Sequence, residues 1–363
     1  MDLPIEHLTT FAAIVDEGSF EGAARRLHIT PSAVSQRVKA MEQRVGSVLL
    51  QRSRPVEVTA AGTTILRVSR QLGRLIDDAA RELGGGPAGG TVIPIVVNAD
   101  SLATWFVPAL VRAARETGAR FEVIRADETL STEQLRRGEA MAAVTATREP
   151  VPGCTSTRLG VDRYYAVASP EFVAEHFPAG VTAEALQRAP MVEFDRHDAF
   201  QQRYMKRVSR ARIDPPRHFV PSSAEFVLAI ELGLGWGMVP ELQFREPLAS
   251  GRLVALDAPP GAGAAQLPGG RSVIEMPLFW QRWNLSSPVL DHLSSIVVDE
   301  AAAALRWEAP TAGLPSTATP PRHSAVTSTA RPDVRAVEAT SESTGTRRAD
   351  RTPPSGRAAA PRP

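Results

Sequence analysis

The chain of 363 residues contains a single cysteine, Cys154, and seven scattered histidines. One cysteine excludes an internal disulfide and a cysteine-rich metal site. The histidines show no metal-ligand spacing, so we expect neither a metal ion nor a cofactor. No run approaches the roughly 18 apolar residues that a membrane helix needs, and the acidic, amphipathic start is not a signal peptide. These absences predict a cytoplasmic protein without membrane contact.

The usual signals of catalysis are also missing. Cys154 has no neighbouring histidine, and the glycine-rich segment at 84–90 precedes a strand instead of following one, unlike a phosphate-binding loop. An enzyme is therefore not expected. An architectural DNA-binding protein without a ligand is a second alternative, but it would not need the long α/β segment described below.

The net charge of +1 hides an uneven distribution. Residues 20–75 hold ten Arg or Lys against Glu21, Glu42 and Glu57. A basic excess in a short amino-terminal region is typical of a nucleic-acid surface, although a solvated helical face would have the same composition.

Residues 1–59 read as three short helices and a hairpin. Gly18 ends the first helix, Ser19 is a suitable N-cap for the second, and Thr30-Pro31 begins the third. The polar turn at 52–55 lies between two short strands, which predicts a wing. The third helix places small hydroxyls and an amide opposite its apolar stripe, so it can enter a major groove, where Gln36 would pair with adenine and Arg37 with guanine or phosphate. The DNA-binding candidates are Thr30, Pro31, Ser32, Ser35, Gln36, Arg37, Lys39, and the wing arginines Arg52 and Arg54.

A long helix is predicted over 60–83. Ile65, Leu72 and Ala79 recur every seven residues, with Val68 and Leu75 offset by three. This coiled-coil spacing fits either a helix packed on its own domain or the seam of a homodimer, and we favour the dimer. The segment 84–91 reads as a flexible hinge.

Residues 92–305 alternate strands and helices, which predicts an α/β architecture with largely parallel sheets in two lobes. We expect lobe one to comprise 92–163 and 270–305, and lobe two 164–269. Residues 306–363 are rich in Pro, Thr, Ser, Ala and Arg, so we expect a disordered tail.

The segments AARRLHITPSAVSQRVKAMEQRVGSVLLQR and VTAAG closely resemble the amino-terminal signature of LysR-type regulators. The resemblance implies a winged helix-turn-helix, a dimerising linker helix and a two-lobed effector domain of the periplasmic-binding-protein type. It also implies binding to paired half-sites of double-stranded operator DNA. Pairing of dimers into tetramers, contact with RNA polymerase, and activation versus repression stay open.

The α/β part resembles a narrower subgroup, the ArgP and LysG regulators that respond to arginine and lysine. The matching segments are VNADSLATWFVPAL, DETLSTEQLRRGEAMAAV and SSAEFVLAI. This resemblance implies a basic amino acid as effector and control of a basic amino-acid exporter gene. A LysR-type regulator with another small carboxylate effector is the alternative.

Polar residues at predicted strand ends support a cleft for such a ligand. Free N–H groups of the turn 98–101 would suit an α-carboxylate, and carboxylates after the second strand would suit an ammonium or guanidinium group. Each candidate could instead cap a helix, form a surface pair or, for Trp105, belong to the core. The effector-binding candidates are Asn98, Ala99, Asp100, Ser101, Trp105, Asp127, Glu128, Thr129, Asp195, Ser222, Ser223 and Glu225.

Overall fold

A computed structural model describes residues 2–51, 53–83, 92–126, 128–257 and 273–305, without the side chains of 81, 82 and 128–130. The predicted hinge, the predicted tail, Arg52 and Asp127 therefore lie outside the described residues. Met1–Ala309 form one compact unit. Within the described part, no helix has the length and apolar character needed to cross a membrane.

The amino-terminal head consists of three helices and a two-stranded hairpin. They are α1 (Ile5–Glu17), α2 (Phe20–Leu27), α3 (Pro31–Val45), β1 (Leu50–Gln51) and β2 (Glu57–Val58). The predicted caps are confirmed: Ser19 and Thr30 accept hydrogen bonds from Gly22 N and Ala33 N, and Gly18 ends α1 in the left-handed conformation. These caps give hydrogen-bond partners to backbone groups that the helix ends leave without one, and they mark where each short helix begins or ends.

Helix α4 (Ala60–Glu82) follows the wing, and its two faces have different surroundings. The Thr59 hydroxyl caps it by accepting from Gly62 N at 3.0 Å. Ile65 and Leu72 pack against the core of the head. Val68 and Leu75 are each 40% exposed. One face of α4 is therefore packed on the head, as the first interpretation of the heptad pattern expects. Another face is open, and the second interpretation would place the homodimer seam there.

The remaining elements form the α/β part. The strands are β3 (Val92–Val97), β4 (Arg120–Arg125), β5 (Ala142–Thr145), β6 (Cys154–Ala168), β7 (Met191–Glu193), β8 (Arg217–Phe219), β9 (Gly237–Pro240), β10 (Val254–Ala255) and β11 (Val273–Trp283). The helices are α5 (Ala99–Ser101), α6 (Val107–Thr117), α7 (Glu128–Arg137), α8 (Pro170–His176), α9 (Ala183–Arg188), α10 (Phe200–Val208), α11 (Ser223–Glu231), α12 (Glu241–Ala249) and α13 (Pro288–Ala304). A π-helical turn, Leu102–Phe106, joins α5 to α6.

The main sheet is mixed, so the expectation of largely parallel sheets is wrong. Its strand order is β10-β6-β11-β5-β3-β4, with β9 also paired to β6. Strands β4, β3 and β5 are parallel, whereas β11 is antiparallel to both β5 and β6. Strand β6 takes the chain from lobe one into lobe two, and its antiparallel partner β11 brings it back. Parallel strands with short connections cannot reverse the direction of the chain in this way.

Strands β6 and β11 are shared by the two lobes. Near Cys154 and Trp283 the pair continues into β5, whereas near Tyr165 and Val273 it continues into β9 and β10. The two ends of the pair also belong to different hydrophobic cores. A ribbon of two antiparallel strands, with a register shift between Leu278 and Phe279, thus joins the two lobes.

The head contacts lobe one through α4 and α7. The Arg70 guanidinium donates to the Arg137 carbonyl at 2.9 Å and lies 3.7 Å from the Glu139 carboxylate. Arg74 Nε donates to Met141 Sδ at 3.3 Å. These contacts connect the linker helix directly to the lobe that carries one wall of the cleft described next.

Candidate functional site

The exposed face of α3 displays the predicted DNA-reading residues. Thr30 at its N-cap and Pro31 in its first turn are exposed. Ser32, Ser35, Gln36 and Lys39 are exposed as well, while Val34, Val38 and Met41 are buried in the head. Because helical residues three and four apart share a face, the alternation leaves one polar surface free for a duplex.

Arg37 differs from the other candidates on this helix. Its guanidinium donates to the Thr10 hydroxyl at 3.0 Å and to the Glu6 carboxylate at 3.1 Å. The side chain is about one quarter exposed. These bonds orient Arg37 against α1, so a base contact would require it to exchange them.

The wing supplies one described basic candidate. Leu50 pairs with Val58 and Gln51 with Glu57, which closes the antiparallel hairpin. Arg54, at its turn, is exposed, whereas Arg52 lies outside the described residues. The hairpin therefore presents at least one cation beside the α3 surface.

A cavity of about 620 Å³ lies between the two lobes at the shared strands. Asn98, Ala99 and Asp100 line it from lobe one, and Asp195 and Ser223 from lobe two. These five are the predicted effector residues that the structure brings together. They come from the carboxyl ends of β3 and β7 and from the start of α11, as expected for ligand sites in α/β folds.

Asp100 is one of the residues that connect the two lobes. The Tyr164 hydroxyl donates to its Oδ2 at 2.7 Å, and the Ser223 hydroxyl donates to its Oδ1. Gln243 Nε2 in turn donates to the Ser223 hydroxyl at 2.7 Å. Burial raises the pKa of Asp100, and the two hydroxyl donors partly oppose that rise.

A second carboxylate faces the cavity from lobe two. Asp198 accepts hydrogen bonds from the backbone N–H groups of Phe194 and Phe200, both at 3.0 Å. Burial raises the pKa of Asp198 against these bonds, and the charge of Asp100 raises it further. The ring of Phe200 stacks on Tyr164 with centroids 4.2 Å apart. The cavity is thus lined by the carboxylates of Asp100, Asp195, Asp198 and Glu275 and by an aromatic wall.

Two arginines lie at the mouth of the cavity. Arg125, at the end of β4, donates to the Pro221 carbonyl at 3.3 Å and lies over the Phe194 ring. Arg203 on α10 lies 5.7 Å from the centroid of the Phe200 ring. Both side chains are exposed and line the cavity. Positive charge at the rim and negative charge inside the cavity would suit a ligand that carries both a negative and a positive group.

The remaining predicted effector residues are placed differently. Trp105, on the π-helical turn, lies in the core of lobe one, edge-on to Phe106. Ser222 donates to Glu225 outside the lining of the cavity. Asp127 is outside the described residues. The backbone of Glu128 and Thr129 belongs to the first turn of α7, but their side chains are not among those described.

The turn at 98–101 also differs from expectation. Ser101 N donates to Asn98 Oδ1 at 3.1 Å, so this N–H is not free for a ligand carboxylate. The Ser101 side chain is buried. With the Asp100 carboxylate beside it, this turn suits a cation better than an anion.

Tyr164, Asp198, Gln243, Arg125 and Arg203 were absent from the sequence-based set. Tyr164 lies inside strand β6 and not at its end, where the candidates were sought, whereas Asp198 follows Asp195 in DRHDAF and is within reach of the same strand-end pattern. Among the described residues, no group of three or more His, Cys, Asp or Glu is placed to hold a metal ion.

Residues 5–63 match the family described as "Bacterial regulatory helix-turn-helix protein, lysR family". Residues 95–270 match the "LysR substrate binding domain". The two matches cover the head and most of the two-lobed part.

Three similar proteins span nearly the same length. The HTH-type transcriptional regulator LysG of Mycobacterium bovis is 40% identical over 302 residues, covering 83% of this chain and 94% of the relative. The lysine export transcriptional regulatory protein LysG of Corynebacterium efficiens is 38% identical over 305 residues, covering 83% and 98%. A structure of full-length LysG from Corynebacterium glutamicum with bound effector Arg has a TM-score of 0.72 and 35% identity, covering 84% and 99%.

Proposed function

The chain belongs to the LysR family of bacterial helix-turn-helix transcription regulators, and from this premise we propose that a basic amino acid, lysine or arginine, controls its binding to operator DNA. The observation that carries the proposal is Asp100, held between the lobes by Tyr164 and Ser223. A carboxylate at this place would bind an ammonium or guanidinium group through charge-assisted hydrogen bonds.

The rest of the cavity supports a ligand with a long side chain. The stacked rings of Tyr164 and Phe200 offer an apolar wall to its methylene groups. Arg125 and Arg203 at the rim could pair with the α-carboxylate. The structure of the Corynebacterium glutamicum relative has arginine as its bound effector. Asn98, Ala99, Asp100, Asp195, Asp198 and Ser223 form the proposed effector site.

For operator binding, we assign base and phosphate contacts to α3 and the wing. The proposed set is Thr30, Pro31, Ser32, Ser35, Gln36, Lys39, Arg52 and Arg54, with Arg37 in a positioning role toward α1. Because cation contacts to phosphates release counterions, operator affinity should fall steeply as salt rises. The open face of α4, including Val68, Leu75 and Ile76, would form the homodimer seam.

The regulated gene is proposed to encode an exporter of basic amino acids. The Corynebacterium efficiens relative is a lysine export transcriptional regulatory protein. A regulator that senses the exported amino acid would couple export to its intracellular concentration, which fits a DNA-binding protein of the cytoplasm.

A thermal-shift panel of the twenty amino acids tests the effector class. Ligand at about 100 times its Kd should raise Tm by on the order of 5 °C. Lysine and arginine should produce the shift, whereas norleucine and citrulline, which lack the side-chain charge, should not. Asp100→Asn should abolish the shift, and Asp299→Asn, an exposed carboxylate of α13, should preserve it. Equal shifts for the charged and neutral members of each pair would contradict a basic effector.

The arginines at the mouth favour one alternative, a LysR-type regulator with a small carboxylate effector. In that case Arg125 and Arg203 would hold the ligand, and Asp100 would serve only to close the lobes. Extending the same panel to aliphatic and aromatic carboxylates distinguishes the two ligand classes. Binding of operator DNA, measured by fluorescence anisotropy with and without the ligand, then tests the regulatory step.

A further inference from the structure

Another carboxylate, Asp162, lies beneath the lining of the cavity. It is on β6, two residues before Tyr164, and therefore on the same face of the strand. Its cross-strand partner on β11 is Met276, which lines the cavity together with Tyr164. Asp162 is only 2% exposed, so it is shielded from bulk water.

The hydrogen bonding of Asp162 contrasts with that of Asp100. Asp100 accepts from two hydroxyls, one on each carboxylate oxygen. Asp162 accepts a hydrogen bond from the backbone N–H of Arg163, but its buried Oδ2 has no hydrogen-bond partner among the described residues. Leaving a buried charged oxygen unpaired costs far more than leaving a neutral acid group unpaired. Hydroxyl donors thus favour the charged form of Asp100 on both oxygens, whereas one oxygen of Asp162 has no such support.

The charges that face Asp162 come from several elements. Asp100 on α5 and Glu241 on α12 are both negative, and Glu241 is paired with Arg245. Arg163, next to it on β6, directs its side chain to Glu275 of β11 at 3.1 Å. No described cation is paired with Asp162 itself. Burial, followed by the charge of Asp100, raises its pKa to about 7.

We propose that Asp162 is a neutral carboxylic acid in the empty cleft and ionises when a cationic effector binds, so that effector binding releases one proton to solvent. This inference rests on the proposed function. A cation beside Asp100 replaces the repulsion between the two acids with attraction, which makes ionisation of Asp162 favourable. The proton leaves the Asp162 carboxyl, and the side-chain cation of the effector balances the new charge. The affinity for basic amino acids therefore rises with pH across the range in which Asp162 titrates.

Isothermal titration calorimetry of the full-length protein with L-arginine and L-lysine tests the inference. Titrations in two buffers of different ionisation enthalpy give the number of protons released. We expect a release approaching one proton near about pH 6 and little release near about pH 8.5, with affinity rising up to about tenfold per pH unit between them. Binding without proton release at either pH would overturn the inference and leave the proposed function standing.

Variants assign the proton to its residue. Asp162→Asn should release clearly less than the wild-type number of protons and bind with a weaker dependence on pH, and any remaining release would come from Asp100 and Asp198, whose pKa values burial also raises. Glu171→Gln, an exposed carboxylate of α8, should retain the wild-type pH dependence. Wild-type proton release in Asp162→Asn would place the proton elsewhere and refute the assignment. If wild-type protein binds no basic amino acid at any pH, the proposed function fails, and the inference fails with it.

Discussion

The Arg70 guanidinium lies 2.6 Å from the Asp16 carboxylate and joins the linker helix to the first helix of the DNA-binding head. The same guanidinium also reaches the carboxyl end of α7 in lobe one. Helix α7 begins next to Ala126, a residue of the cleft lining. One side chain therefore contacts both the head and an element that starts at the ligand site.

Replacing this arginine should loosen the head without unfolding it. We expect Arg70→Ala to cost at most about 1 kcal/mol of stability per lost ion pair, because the pairs are partly exposed. Amide hydrogen exchange should rise at residues 137–141 and in the second half of α1. Arg136→Ala, which removes an ion pair within α7 only, is the matched control. Equal exchange in the two variants would show that Arg70 does not hold the head.

Two glycines of α4 should respond in opposite directions to the same substitution. A Cβ at Gly62 would lie 2.1 Å from the Leu49 carbonyl oxygen, a contact that only a backbone shift could relieve. We expect Gly62→Ala to destabilise the head by at least about 2 kcal/mol. At Gly73 nothing lies within 4 Å of the added methyl, so Gly73→Ala should stabilise the helix by about 1 kcal/mol. Denaturation midpoints followed by circular dichroism measure both changes, and a mild effect at Gly62 would contradict the close approach.

Base recognition should depend on Gln36 and not on a glutamine elsewhere on the same helix. Gln36→Ala should reduce discrimination against a substituted operator base by about 1–3 kcal/mol, since a bidentate amide contact to adenine is lost. Gln43→Ala, also exposed on α3 but two turns later, should leave discrimination unchanged. Competition binding with a set of single-base operator variants measures the difference. Unaltered selectivity in Gln36→Ala would remove it from the reading surface.

The stability of the unliganded protein should decrease as pH rises from about 4 to 7. The pKa of Asp162 is raised to about 7, so the folded state holds a proton that the unfolded state has already lost in this range. Stability then falls with pH, by up to about 1.4 kcal/mol per pH unit for a single group. Above the raised pKa the contribution is constant. Thermal denaturation across this range should show the slope in wild type and a smaller slope in Asp162→Asn; identical slopes would place the titrating group elsewhere.

The head was predictable almost residue by residue because its signals are local. Ser19, Thr30 and Thr59 cap helices within three residues of themselves, and Gly18 and Gly46 end them. Each such signal acts within one turn of chain and survives without knowledge of the tertiary structure.

The individual strands and helices of the two-lobed α/β part were predictable, but their arrangement in space was not. The alternation of strands and helices over 92–305 was predictable, but strand β6 begins at Cys154, ten residues before the expected start of lobe two at 164. Its first half pairs with β11, more than one hundred residues later, and no local pattern encodes that pairing. For the same reason the contact from Asp100 to Ser223, across 123 residues, was predictable only as two separate candidates, one after a strand and one at a helix start.

The antiparallel pair of β6 and β11, which the two lobes share, also affects the thermal unfolding of the α/β part. Neither lobe can lose its core without breaking backbone bonds that continue into the other, since Leu159 and Tyr164 of one strand belong to separate cores. Calorimetry should therefore give a single cooperative endotherm for both lobes. A ligand bound to only one lobe would still raise the unfolding temperature of both lobes.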